Sequence, residues 1–315
     1  MAEAVDGNQN FMIVHDYSKQ ITAALDNCIT KTKYPGKKHV GKVRDTYDQG
    51  DKLLIFSTDR LSAFDRVLAA IPFKGQVLNQ ISAWWFKQTK HIIDNHVIEV
   101  PKPNITIAKK CKVFPVEFIV RAYVTGTTST SLWTHYEKGE REYCGYKLPD
   151  GLVKNQPLPK PILTPTTKET THDSPLSAQD ILKQKLMRKQ DWEYVSKIAL
   201  QLFNFGSQLA AKRGLILVDT KYEFGEDKNG NILLVDELHT PDSSRYWRAS
   251  NYQVRFVNNQ EPDNFDKEIL RLWYKEHCDP YKDKVLPPAP KELIIKLAQR
   301  YIQLYEMITD NKFKF

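Results

Sequence analysis

One segment limits what this chain can fold into more than any other. Leu215 to Arg245 reads LILVDTKYEFGEDKNGNILLVDELHTPDSSR. Asn229-Gly230 is a strong hairpin signal, because both residues tolerate the positive φ of a type I′ turn. With those two as turn residues, Lys228 pairs with Asn231 and Glu223 faces Asp236 across the ladder. Carboxylates facing each other on one sheet face repel, so the pattern asks for a cation between them. Mg²⁺ fits, since it takes a few carboxylate oxygens together with substrate phosphates. Asp219, Lys221 and Glu223 alternate along the strand and share that face. The runs Leu215 to Val218 and Ile232 to Val235 are continuously apolar, as in buried strands. That argues against an ordinary solvated strand face.

The rest of the chain must supply partners for such a site. At 315 residues it is long enough for a full core and two lobes. Its 41% hydrophobic and 11% aromatic content is that of a globular protein. No apolar run approaches the roughly 18 residues of a membrane helix, so no membrane association is expected. The N-terminal MAEAVDGNQN lacks the basic and apolar blocks of a signal peptide, and a cytoplasmic location is the expectation. Cys28, Cys111, Cys144 and Cys278 form no CxxC pair, and the eight histidines form no HExxH motif. Reduced, packed thiols are therefore expected, and neither a zinc site nor a redox pair. The net charge of +8 suits either nucleic acid or small polyanions. Basic residues are interspersed with acidic ones, and neither a basic helix nor an RNP-like aromatic pattern is present. Small anions are the better match, with no nucleic-acid partner.

Strands are expected at Lys52 to Ser57, Val67 to Phe73, Val97 to Val100, Lys109 to Phe114 and Val116 to Thr125. Helices are expected at Val77 to Ile93, Asp191 to Arg213 (stopped by Gly214), Phe265 to His277 and Lys291 to Ile308. Pro149 to Pro175 carries six prolines and reads as a long irregular binding loop. Residues 1–10 read as disordered. Strands come mostly first and helices last, which favours a two-lobed α+β architecture over a doubly wound sheet.

Gly36 to Val43, GKKHVGKV, imitates a P-loop but has valine where Ser or Thr would bind Mg²⁺. A strand, not a helix, follows it. The alternative is a glycine-led strand flap, in which Gly41 permits close backbone approach and Lys42 and Arg44 reach phosphates.

Five motifs in order are GKVRD at 41–45, STDRLSAFD at 57–65, VRAYVTGT at 120–127, DTKYEFG at 219–225 and DELHTPDSSR at 236–245. Together they resemble the SAICAR synthetase family, in its single-activity form. The resemblance implies an N-terminal antiparallel-sheet lobe similar to protein kinases, a C-terminal ATP-grasp-like lobe, and ATP in the cleft between them. It sets the bounds at 1–35 for an N-terminal extension, 36–115 for the nucleotide-flap lobe and 116–315 for the catalytic lobe with its terminal helices. It further implies an amide-forming ligase that joins L-aspartate to the carboxylate of carboxyaminoimidazole ribotide (CAIR). The implied cofactors are ATP and Mg²⁺, and the implied assembly is a monomer or small homo-oligomer.

Residue roles follow from the same resemblance. Glu223 and Asp236 are the expected Mg²⁺ ligands. Lys221 is expected at a phosphate or substrate carboxylate, with Asp219 orienting it or the attacking amine; these two form the expected catalytic pair. Gly41, Lys42 and Arg44 would serve the ATP phosphates, and Glu117 marks the strand beside adenine. Ser62 and Asp65 fall on the imidazole side. Arg121, Thr127, Ser243 and Arg245 are expected around the CAIR phosphate, with Asp242 capping a short helical turn there. Lys168, His172 and Asp173 are expected near the substrates, on the aspartate side. His239 is one residue more than short bacterial forms have in this loop. A kinase is disfavoured, because no HRD…N and DFG set is present.

Overall fold

The computed structural model describes residues 15–168 and 174–315. Residues 1–10, expected to be disordered, and His172 and Asp173 lie outside the described residues. The fold mixes helices with antiparallel sheets. A five-stranded sheet runs in the order Lys37–Val40, Arg44–Asp48, Lys52–Ser57, Ile105–Lys109, Val97–Lys102. A seven-stranded sheet is built around Leu215–Glu226. This central strand pairs with Val116–Val124 on one side and Ser244–Arg248 on the other over its first half. Over its second half it pairs with Ile232–Val235 and Lys112–Val113. Among the described residues no helix is long and apolar enough to cross a membrane.

Alternation along the central strand divides the sheet into two faces. Tyr222 and Phe224 are buried against Phe118, whose ring stacks on Trp192 of helix Lys189–Lys212. Asp219, Lys221 and Glu223 turn to the other face. The helix carries the expected apolar stripe, and Gly214 follows it at φ +70°. Gly206 on that stripe lies against the ring of His239; a Cβ there would sit 2.8 Å from Nδ1. His239 is fully buried, with Nε2 2.6 Å from the Tyr222 hydroxyl and its carbonyl accepting from Tyr246. His239 is thus a core residue.

Three expectations need correction. The central hairpin closes one residue differently: Glu223 pairs with Val235 and Glu226 with Ile232. Asp227, not Lys228, is opposite Asn231, and Asn229 does not have positive φ. The Asp227 carboxylate accepts from the amides of Asn229 and Asn231, so an Asx-type three-residue loop ending on Gly230 (φ +80°) replaces the two-residue turn. Second, the proline-rich stretch is not wholly irregular. Gln156–Leu163 forms an edge strand on Val116–Val124, with the register shifted between Pro157 and Ile162. Prolines are tolerated where one strand edge needs no donors. Third, two strands were misplaced. Arg66–Ala70 ends before Phe73, whose φ of +63° starts helix Lys74–Gln88, and Lys109 to Phe114 splits into the ends of two strands.

Gly206→Ala is expected to destabilise the fold by about 1–3 kcal/mol, because the methyl group overpacks against the His239 ring. Urea unfolding checks this, and an unchanged midpoint and slope would contradict it.

Candidate active site

A cavity of about 750 Å³ opens between the two sheets. Gly41, Lys42 and Arg44 enter it from the tight turn joining Lys37–Val40 to Arg44–Asp48, where the Gly41 amide donates to the Arg44 carbonyl at 2.8 Å. No helix follows that turn, so the backbone has the strand–turn–strand form of a flap and not the strand–loop–helix form of a P-loop. Glu117, Lys168, Lys221, Glu223 and Asp236 line the cavity from the seven-stranded side, and Ser62 and Asp65 from a small hairpin. Phe64 and Asp65 both have positive φ, at 52° and 58°, and Lys42 ion-pairs with Asp65.

The charges at the centre are tightly interlocked. Lys221 Nζ reaches Glu117 at 3.3 Å, Asp236 at 3.2 Å, and Glu223 in a short contact. Burial disfavours its charge, but the three carboxylates outweigh that and hold its pKa well above the ordinary lysine value. Lys168 pairs with the other oxygen of Glu223. Arg44 bonds Asp236 and also Glu237, the latter at 2.6 Å. Burial opposes ionisation of Asp236, yet Arg44 and Lys221 keep its pKa well below the usual carboxylate range. Glu223 and Asp236 thus share the ammonium of Lys221, and they do not face each other in the ladder as the sequence pattern predicts. Asp236 leaves the strand at φ +67°, and this turns its carboxylate back toward Lys221.

A second cavity of about 120 Å³ adjoins the first, and Lys221, Asp242 and Ser243 line both. Strand register builds its floor. Asp219 is paired with Arg121 on one neighbouring strand and Arg245 on the other. Its Oδ2 accepts from both guanidiniums, at 3.4 Å and 2.5 Å. Gly126 (φ +104°) passes so near that a Cβ there would lie 2.8 Å from Arg245 Nη2. Thr127 lies apart from this floor, and its hydroxyl donates to Glu268 at 2.6 Å.

Asp242 does not cap a helical turn. Its carboxylate accepts from the Tyr301 hydroxyl at 2.8 Å and pairs with the fully buried Lys74 at 2.7 Å. Despite the burial, Lys74 holds its pKa below the usual carboxylate range. The capping oxygen of the turn is Thr240 Oγ1, which accepts from the amides of Asp242 and Ser243.

Sequence reasoning missed Lys74, His96, Glu237, Asp266, Lys267, Glu268 and Arg271. Lys267 and Arg271 line both cavities at a helical i, i+4 spacing, a signal hidden inside a helix read only for its apolar stripe. Burial lowers the Lys267 pKa to about 8. Among the described residues no group of three or more His, Cys, Asp or Glu side chains is arranged to hold a metal alone. Glu223 and Asp236 suit Mg²⁺ in the other manner, as one or two carboxylates supplemented by ligand phosphates.

Comparison with known proteins decides the family. The SAICAR synthetase family model matches residues 37–288. The chain belongs to the SAICAR synthetase family. It is 63% identical over 289 residues to the phosphoribosylaminoimidazole-succinocarboxamide synthase of Legionella pneumophila strain Lens, covering 91% of this chain and 93% of that one. The SAICAR synthase of Saccharomyces cerevisiae, solved with SAICAR, superposes with a TM-score of 0.77 at 32% identity, covering 91% of this chain and 100% of that one. A type-2 SAICAR synthetase solved with ADP gives 0.67 at 28% identity, covering 89% and 100%.

Replacing Asp219 by Ala should strand two buried guanidiniums and cost about 3–5 kcal/mol in stability. Chemical denaturation checks this, and wild-type stability would remove Asp219 from the centre of the floor.

Proposed function

We propose that this chain is an ATP-dependent ligase that joins L-aspartate to the carboxylate of CAIR, giving SAICAR, ADP and phosphate in de novo purine synthesis. The observation that carries the reading is the place of Lys221. It lies in the wall common to a carboxylate-rich cavity and a guanidinium-floored one, so one side chain addresses both subsites. The relatives solved with SAICAR and with ADP support the same pair of ligands.

The chemistry calls for such a wall. A carboxylate is a poor electrophile, and phosphorylating it turns an oxygen into a leaving group that an amine can displace. The protein then needs to position anions and stabilise shifting charge, with no covalent nucleophile of its own. In this reading Gly41, Lys42 and Arg44 serve the nucleotide phosphates, and Glu117 lies on the strand beside the base. Glu223 and Asp236 would hold Mg²⁺, which supplies neutralisation of phosphate charge when bound. Lys221 orients the transferring group, and Asp219 sets the floor beneath it. Ser62 and Asp65 face the imidazole. Arg121, Ser243 and Arg245 hold the sugar phosphate, with Thr127 and Asp242 bordering them. Lys168 stands on the aspartate side, where His172 and Asp173 are also proposed. The five-stranded sheet corresponds to the kinase-like lobe proposed for 36–115, and the seven-stranded sheet to the ATP-grasp-like lobe proposed for 116–315. Residues 1–35 are proposed as an extension preceding the first of these lobes.

With ATP, Mg²⁺, aspartate and CAIR, the protein should release ADP only when both aspartate and CAIR are present; release independent of either would refute the reading. Glu223→Gln and Asp236→Asn should each reduce turnover by about 100-fold or more, with circular dichroism unchanged. Near-normal turnover in both variants would exclude them as the metal pair.

A further inference from the structure

The small cavity holds one carboxyl that the proposed mechanism does not use. Asp266 precedes helix Glu268–His277 and is only 1% exposed. Its Oδ1 accepts from the Glu268 amide at 2.8 Å. Its Oδ2 is buried without a hydrogen-bond partner, in the wall of the cavity floored by Arg121, Asp219 and Arg245. Two more side chains of this cavity carry a buried nitrogen without a hydrogen-bond partner, Arg271 Nε and Arg245 Nε, the latter 3.8 Å from Glu268. A buried polar atom left unpaired costs about 1–3 kcal/mol, and three residues lining this one cavity carry such an atom.

The surrounding charges define that ligand. Asp219 is shared by Arg121 and Arg245, and Glu268 by Arg271 and Arg245. Asp242 is matched by Lys74. Among the described residues no cation forms an ion pair with Asp266. The groups around it are Glu268, Lys267 and Arg271 from its own segment and helix, Arg245 from the neighbouring strand and Tyr301 from the C-terminal helix. Burial, then the adjacent Glu268, pushes the Asp266 carboxyl up to about 7, even though Arg245 opposes this. When this one carboxyl is neutral, the guanidiniums are left with excess positive charge, and Oδ2 becomes a donor alongside the two Nε atoms. That set matches the oxygens of a phosphate monoester.

We infer that Asp266 acts in its acid form as a phosphate-binding donor, so that a phosphate monoester enters this cavity together with one proton taken from solvent. The inference rests on the CAIR reading for its natural ligand, but the charge argument applies to any phosphorylated ribose. The proton settles on a carboxylate oxygen and no covalent bond changes hands.

Calorimetric titration of the full chain at about pH 8, in two buffers of different ionisation enthalpy, counts protons taken up on binding. CAIR and ribose 5-phosphate are the two probes. The expected result is uptake approaching about one proton, with affinity falling about tenfold per pH unit above neutrality. Asp266→Asn, which keeps both the acceptor and a donor, should bind with no proton uptake and a flat pH profile. Equal uptake in that variant would place the proton on the ligand and overturn the inference, as would binding to wild type without uptake, or no binding of either probe. If CAIR fails to bind while ribose 5-phosphate binds with uptake, Asp266 keeps its role and the CAIR reading falls. Should the variant not fold, the carboxyl ¹³C shift of Asp266 in the wild-type protein serves instead. It should titrate near neutrality and move upward with ligand; a carboxyl already ionised at pH 5 would overturn the inference.

Discussion

The site depends on a single register. Asp219 is paired with Arg121 on one flank of the central strand and with Arg245 on the other. One carboxylate thus ties three strands at one level, and two guanidiniums are held where their remaining N–H groups can face a cavity. Because side chains alternate with a period of two, a slip of one residue would send Asp219, Lys221 and Glu223 into the core beside helix Lys189–Lys212. The apolar packing of Tyr222, Phe224 and Phe118 on the far face prevents that slip. Core and active site are two faces of the same pairing.

The five-stranded sheet is tied to this frame through charge. Arg44 spans the gap to Asp236 and Glu237, and the His96 amide donates to the Leu234 carbonyl. The ends of the chain brace the arrangement from behind. The Tyr17 hydroxyl bonds Glu306, Thr32 bonds Asp45 of the flap strand, and Tyr301 reaches from the C-terminal helix to Asp242. The described part of the N-terminal extension thereby connects the terminal helix to the flap sheet, and Lys74 carries the same support into the turn at Thr240–Ser243.

Much of this was legible in the sequence because period-two and period-3.6 patterns survive local detail. The central strand, the long helix with its Gly214 stop and the glycine flap all follow from such patterns. The hairpin register did not, because Asp227 competes for the turn through its own side chain, an option that the Asn-Gly signal conceals. Glu223 and Asp236 come together around Lys221 despite the register difference for a reason the pattern lacks: Asp236 adopts positive φ and folds its carboxylate back. The edge strand Gln156–Leu163 was hidden by its prolines, which forbid donors on one side only. Lys74, Asp266 and Glu268 were invisible because their chemistry comes from burial among partners remote in sequence.

The interlocked charges have an energetic consequence for ligand binding. Four cations of the main cavity are already paired: Lys42 with Asp65, Lys168 with Glu223, Lys221 with three carboxylates and Arg44 with two. An incoming phosphate cannot simply collect free charges from these four. It must exchange partners, and any carboxylate it displaces becomes a buried charge in need of a new cation. In the proposed reading, Glu223 and Asp236 would hold a divalent ion, which would meet that need. In that reading nucleotide and metal would enter as a matched pair, since each alone would leave one sign of charge uncompensated. The smaller cavity solves the same problem differently. There the exchange partner is a proton on Asp266, which removes a negative charge at the position where the sugar phosphate brings one in.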